Sequence, residues 1–197
     1  MPRGRFNRID RSKLLVGEGR DEVEFFTSLL SHLGISGVQV TDYGGKPKLR
    51  EFLATLRRIP GFADLRTLAV TCDADDDPAA GKQSIESALE SANLPPELTV
   101  RTLVLPSDET RGALETLCVE AFANKPIGEC VERFISCAAE AGYEPKWSVG
   151  GAAKARAQMW LAFHARPALR LGEAAQAGCI DWDEATYVGL KAFLGSL

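Results

Sequence analysis

The stretch that most limits how this chain can fold is Arg66 to Ala79, RTLAVTCDADDDPA. Leu68, Ala69, Val70, Thr71 and Cys72 form a short apolar run of strand type, and it stops at Asp73. Four carboxylates (Asp73, Asp75, Asp76, Asp77) fall within five residues, followed by Pro78 and a helical pattern. A buried strand that ends in acids and turns into a helix belongs at the carboxyl edge of an open α/β sheet, where such sheets place their sites. Asp73 and Asp75 are two apart, so they point the same way if the chain is still extended. Clustered carboxylates raise one another's pKa unless a cation lies between them. An all-oxygen donor set of this charge density suits magnesium or manganese. Asp77-Pro78 has a plainer role as a helix start, with Asp as N-cap and Pro at the first helical position. Asp76 beside it can serve the macrodipole of that helix. Neither role reaches Asp73 or Asp75.

The same strand-to-helix grammar recurs along the chain. Lys13 to Gly17 is a first short strand, broken by Glu18-Gly19, and Arg20 to Leu33 reads as a helix with Val23, Phe26, Leu30 and Leu33 at helical spacing. Glu18 therefore sits at the same kind of sheet edge as Asp73. Asp21 and Glu22, three and four residues on, can share a face with it, although stabilising the first helical turn would also account for them. Val38 to Tyr43 reads as a second strand, followed by Gly44-Gly45-Lys46 and a helix over 48–59. The glycine pair with lysine lacks the full P-loop pattern and reads as a turn. After the acidic stretch come a helix over 79–92, a strand over 98–105 and a helix over 111–123 that carries Glu115. Strand alternating with helix four times predicts an α/β fold with a mainly parallel four-stranded sheet.

From Pro126 the pattern turns helical without strands: helices over 128–141 and 154–164, then a short helical region over 171–197. Gly150-Gly151 reads as the break between the first two, and Met159, Trp160 and Phe163 as the apolar face of the second. Trp160, Trp182 and Phe193 lie in apolar periodic settings and read as core rather than as base-stacking platforms. The expected organisation is a basic leader over 1–12, an α/β core over 13–124 and a C-terminal helical extension over 125–197 packed on it. The leader carries Arg3, Arg5, Arg8 and Arg11, with Lys13 beyond it. It reads as a solvated tail, with a phosphate-contacting arm as the alternative.

Composition narrows the function. A net charge of -4 argues against broad, sequence-blind coating of DNA and leaves room for a local contact patch aided by bound cations. Five cysteines form no CxxC pair, which points to reduced, mostly buried thiols and a cytoplasmic location. Two histidines make a zinc site a poor expectation. No apolar run is long enough to span a membrane, and the first ten residues lack the apolar stretch of a secretory signal.

Glu18-Gly19-Arg20-Asp21-Glu22 after the first strand and Asp73-Ala74-Asp75 at the end of a later one resemble the two halves of the TOPRIM signature. TOPRIM is the metal-binding, Rossmann-like fold shared by topoisomerases, bacterial primases and the overcoming-lysogenization-defect (OLD) nucleases. Gly17 departs from the apolar residue usual before the glutamate. More narrowly, DADDDP (73–78), GALETLC (112–118), PKWSVGGAAKAR (145–156) and LGEAAQAG (171–178) make the whole chain look like a small stand-alone TOPRIM-like bacterial family related to those nucleases. The resemblance implies a Mg2+- or Mn2+-dependent nuclease with two ions, which in such chemistry lie about 3.5–4 Å apart. Asp73 and Asp75 would hold one ion, and Glu18, Asp21 and Glu22 are candidates for the other. Glu115 matches a further acid, and Lys154, with Lys146 as its rival, matches the lysine that offsets phosphoryl charge. Glu18 is alternatively the general acid/base. No tyrosine is placed for covalent topoisomerase chemistry. The chain has no ATPase region, so nucleotide-driven control would come from a separate ATPase or another protein partner. A non-hydrolysing metal-dependent nucleotide- or nucleic-acid-binding module and a nucleotidyl or phosphoryl transferase are the alternatives.

Overall fold

The computed structural model describes residues 6–164 and 169–197, so Arg3 and Arg5 of the basic leader lie outside the described residues. Four strands, β1 (Lys13–Gly17), β2 (Val38–Asp42), β3 (Thr67–Asp73) and β4 (Thr99–Leu105), form one sheet in the order β2-β1-β3-β4. All three pairings are parallel. The helices are α1 (Arg20–His32), α2 (Leu49–Leu56), α3 (Pro78–Ala92), α4 (Leu114–Ala123), α5 (Pro126–Glu140), α6 (Val149–Leu161), α7 (Leu171–Gln176) and α8 (Val188–Gly195). The fold is the α/β, Rossmann-like one that the alternation predicts.

The strand order fixes where a site can form. From β1 the chain moves outward to β2, then returns across β1 to β3 and continues to β4. Crossovers of one hand put α1 on one face of the sheet, and α2 with α3 on the other. The direction reverses between β1 and β3, so the helices diverge there and leave a crevice at the carboxyl ends of those two strands.

Successive strand residues feed opposite faces. Leu14, Val16, Leu68, Val70, Cys72 and Val104 pack with Leu53 of α2 and Ile85 of α3. Leu15, Ala69 and Leu105 pack with Phe25 and Leu29 of α1, Leu117 of α4, and Leu171, Trp182 and Leu194. The C-terminal helices thus complete the second hydrophobic layer rather than lying on a finished domain. Trp182 meets Phe25 edge-on with ring centroids 5.0 Å apart, and Trp160 stacks on Phe122 at 5.4 Å. Phe193 packs against the same layer, as its apolar setting predicts.

Several expected boundaries shift, each for a physical reason. α6 begins at Val149, and Gly150-Gly151 lie inside its first turn instead of ending a loop. Ser148 caps it by accepting from the Gly151 N–H at 3.1 Å. A Cβ on Gly150 would stand 3.3 Å from Asp75 Oδ1, so this glycine answers to close approach. The buried face of α6 is Gly150, Ala153, Ala157 and Leu161, while Phe163 is 74% exposed past the helix end. α4 starts at Leu114 because Gly112, at φ 136°, is still bonded to the β3 turn. The leader is no arm toward the sheet's carboxyl edge in its described part. Ile9 is buried and its N–H donates to Pro60 O, while Ser12 O accepts from Arg66 and Thr67, which places Arg8 and Arg11 at the amino end of the strands. Cys72 and Cys118 are buried, but Cys130 and Cys137 are exposed on α5, so the expectation of mostly buried thiols fails on that helix's outer face. No helix among the described residues is long and apolar enough to cross a membrane.

Candidate active site

The crevice at the ends of β1 and β3 is an open cleft of about 820 Å³. Glu18, Asp21, Glu22, Asp73, Glu115 and Lys154 line it, joined by Arg20, Asp42, Arg170 and the Gly44-Gly45 turn. Residues from the turn after β1 and from α1, β2, β3, α4 and α6 thus meet at one edge.

Each acid is placed by its local backbone. Asp73 is the last residue of β3, and one of its carboxylate oxygens accepts from the Leu114 N–H at the start of α4 (3.0 Å). Glu22 turns back to accept from the Gly19 N–H at 2.9 Å. Gly17 makes room for that turn, because a Cβ there would sit 2.7 Å from Glu22 Cβ. The residue that departs from the expected apolar pattern is therefore required by the neighbouring acid. Glu18 leaves β1 at the crevice, its carbonyl accepting from Gly45 N–H at 2.9 Å. Glu115 lies in the first turn of α4, on the cleft side of the sheet.

These groups are poorly compensated. Asp73 is 5% exposed, and burial together with the charges of Glu22, Glu115 and Glu18 pushes its carboxyl up to about 8. Burial likewise raises Glu22, assisted by Glu18 and Glu115, against the Gly19 hydrogen bond. Glu115 is raised by burial despite the nearby Lys154, with Asp21 and Glu18 adding to the rise. Glu18 Oε2 is buried and has no hydrogen-bond partner. Partial desolvation works to lower the Lys154 pKa, but Glu115, Asp73, Glu18 and Asp75 together outweigh it and hold the ammonium charged. Lys146, the rival lysine, sits on the exposed segment before α6 and does not line the cleft.

Asp75 takes a different position. The chain is no longer extended there: Asp75 has φ 50°, and its N–H and C=O exchange hydrogen bonds with Gly112 at 2.7 and 2.8 Å. Its carboxylate pairs with Lys46 and does not line the cleft with Asp73. Asp76 accepts from the Val149 N–H at 3.2 Å, tying the amino end of α6 to the β3 turn rather than serving α3. Asp77 caps α3 as expected, accepting from Ala80 N–H at 3.0 Å. Asp21 lies between two environments. Arg170 Nη1 is 3.3 Å from its Oδ1, an ion pair without the alignment of a hydrogen bond. Burial still raises its pKa, against Arg170 and the Gly172 amide.

The donor set fits a hard divalent cation: oxygen ligands only, an unpartnered buried oxygen on Glu18, and an Asp73 charge that burial disfavours. Among the described residues no three His, Cys, Asp or Glu side chains close into a ready ligand cage. Magnesium does not need one, since it keeps waters and shares carboxylates with substrate phosphates. Asp42 and Arg170 were not singled out from sequence. Asp42 ends β2 at the same edge, so the rule that picked Asp73 would have found it. Arg170 has no local signal, because only the packing of α7 on α1 brings it here.

The family model for DUF3226, described as a protein of unknown function, matches residues 12–197, and the chain belongs to that family. No curated protein and no solved structure matches it.

Proposed function

We propose that this member of the DUF3226 family is a metal-dependent phosphodiesterase acting on nucleic acid, a TOPRIM-like protein related to the OLD nucleases. The observation that carries the reading is the set Glu18, Glu22, Asp73 and Glu115 gathered at the topological switch point with Lys154 beside them: burial raises Glu22, Asp73 and Glu115, and Glu18 holds a buried oxygen without a hydrogen-bond partner. Mg2+ or Mn2+ held by these carboxylates, in a pair for the two-ion form, would supply Lewis-acid activation of water and of the phosphoryl group. Asp73, Glu22 and Glu115 are the holding residues, with Asp21 at the border. Asp75 is the outermost acid, and its share in holding a cation requires Lys46 to turn away from it. Glu18, with one oxygen uncommitted, accepts the proton of the attacking water or returns it to the leaving oxygen. Lys154 donates to the phosphoryl oxygens as charge builds on them. The reading places the protein in the cytoplasm, with any nucleotide-driven control coming from a separate ATPase chain.

The test is cleavage of single- and double-stranded DNA and RNA with Mg2+ or Mn2+. Lys154→Ala is expected to lower turnover by about 10²–10³ while metal and nucleic-acid binding stay nearly intact. Metal binding by the wild-type protein without cleavage of any substrate would overturn the hydrolase in favour of a binding module. Transfer of a nucleotidyl or phosphoryl group to an acceptor other than water would overturn it in favour of a transferase.

A further inference from the structure

A second cavity, of about 300 Å³, is lined by both partners of the Lys46–Asp75 ion pair, neither of which lines the acidic cleft. That is the lower end of the range for small-molecule sites. Its wall is mostly apolar: Leu49 of α2, the Cys72 side chain, Ala74, and Ala80 and Gly81 on the first turn of α3. Tyr43 closes one side, held rigid by its hydroxyl donating to Thr71 O at 3.1 Å.

The three acids at its rim are already engaged. Asp75 is bound to Lys46, Asp76 to the Val149 N–H, and Asp77 to the Ala80 N–H. Only Asp75 has its charge offset by a cation; Asp76 and Asp77 keep theirs, and all three keep carboxylate oxygens that can accept further hydrogen bonds. An apolar slot edged by acceptors suits a flat ring bearing exocyclic amino groups, as nucleobases do. Lys46 lines this slot and follows directly on the Gly44-Gly45 turn that lines the cleft, so the two share this short stretch of chain. A ligand seated in the slot would therefore carry its phosphate past a lysine toward the acids.

We propose that this cavity seats the base and sugar of the nucleotide whose phosphate enters the acidic cleft, with Lys46 contacting the phosphate between them. The assignment rests on the phosphodiesterase reading and names a subsite for it. The shared chemistry is a nucleoside phosphate, and the source is a residue of a nucleic-acid strand rather than a free nucleotide.

Ala80 and Ser84 lie one helical turn apart on α3, and both line the slot away from the acids of the cleft. Ala80→Phe and, independently, Ser84→Phe should fill it, with circular dichroism and melting temperature reporting that each variant folds. In the presence of Mg2+, the wild-type protein is expected to bind dAMP about tenfold tighter than deoxyribose 5-phosphate, the gain a buried or stacked base gives. Both variants should lose that preference, and a short single-stranded oligonucleotide should bind them about tenfold more weakly. Equal wild-type affinity for dAMP and deoxyribose 5-phosphate would overturn the proposal, as would folded variants that keep the preference. Weaker dAMP binding with unchanged oligonucleotide binding would also overturn it, by making the slot a site for a free nucleotide. Absence of wild-type cleavage bears on the hydrolase reading alone, since every arm here is an equilibrium binding measurement.

Discussion

Around Arg170, the acids Glu24, Asp21 and Glu173 share one guanidinium: Arg170 lies 3.2 Å from Glu24, 3.3 Å from Asp21 and 3.6 Å from Glu173. Glu24 is also gripped by Arg20 at 2.6 Å. At the carboxyl ends of β1 and β3, Glu18, Glu22, Asp73 and Glu115 crowd together; burial pushes Asp73 up to about 8 and raises Glu115 despite Lys154 beside it. Both groups draw on α1 or the turn before it, and both use the same residue types. The first has its cations built in and serves to clamp α7 onto α1, where a Cβ on Gly172 would meet Glu24 Cβ at 2.7 Å. The second lacks that cation, so its buried groups either keep a proton, as Asp73 does up to about 8, or need an outside charge to compensate them. The contrast separates acids that have built-in cations and join α7 to α1 from acids that, on the proposed reading, would hold a metal ion.

Asp73→Asn gives the largest effect on stability and the sharpest break of the comparison. The folded chain keeps a proton on Asp73 up to about 8, whereas the unfolded chain releases it near the ordinary value of about 4. Stability of the metal-free protein therefore falls as pH rises between those values and is flat in this group's contribution above them. Asn still accepts from Leu114 N–H but carries no charge. The variant should melt higher by on the order of 10 °C at pH 8, from a gain on the order of 3–5 kcal/mol. It should show little change near pH 4 and should lack the upward shift that millimolar Mg2+ or Mn2+ is expected to give the wild type. Thermal melts across pH, with and without metal, read all three. An unshifted melt at pH 8 together with a retained metal response would erase the distinction between the two acid groups.

Arg170→Met should act in the opposite direction. It leaves Glu24, 8% exposed, with only Arg20, and removes the cation from Asp21. Breaking a buried pair costs about 3–5 kcal/mol, and the partial exposure of Arg170 reduces this to roughly 2–3 kcal/mol. The melting temperature should fall by about 5–10 °C. A fall of the same size in the Glu24→Gln, Arg170→Met double variant would mean that the loss comes from the stem of the arginine and not from its charge.

The smallest effect concerns the space that lets Glu22 join the cleft. Gly17→Ala puts a Cβ against Glu22 Cβ and should cost about 1–2 kcal/mol through overpacking. Because the strain falls on Glu22, the metal-induced rise in melting temperature should shrink along with the baseline. A metal response equal to the wild type would remove Glu22 from the holding set and leave it as a cap of α1.

The sequence by itself determined the parts that depend on neighbours along the chain. The apolar runs that end at Gly17 and Asp73 and pass into helices mark out parallel strands with helical crossovers. They also fix Glu18 and Asp73 at the strand ends and Asp77 as the cap of α3, because those roles follow from the local backbone period. Tertiary structure decided the rest. Asp75 was expected beside Asp73, but pairing with Gly112, far along the chain, turns its backbone to φ 50° and hands its carboxylate to Lys46. The glycines at 150–151 looked like a helix break until the approach of α6 to Asp75 gave Gly150 its purpose. Lys154 reaches the cleft and Lys146 does not because α6 packs on α4 and is tied to Asp76. Arg170 reaches Asp21 and Glu24 because α7 packs on α1. A strand end is set by interactions over a few residues, but the choice of which cation meets which acid is set by contacts between segments dozens of residues apart. Local propensity carries no record of those contacts.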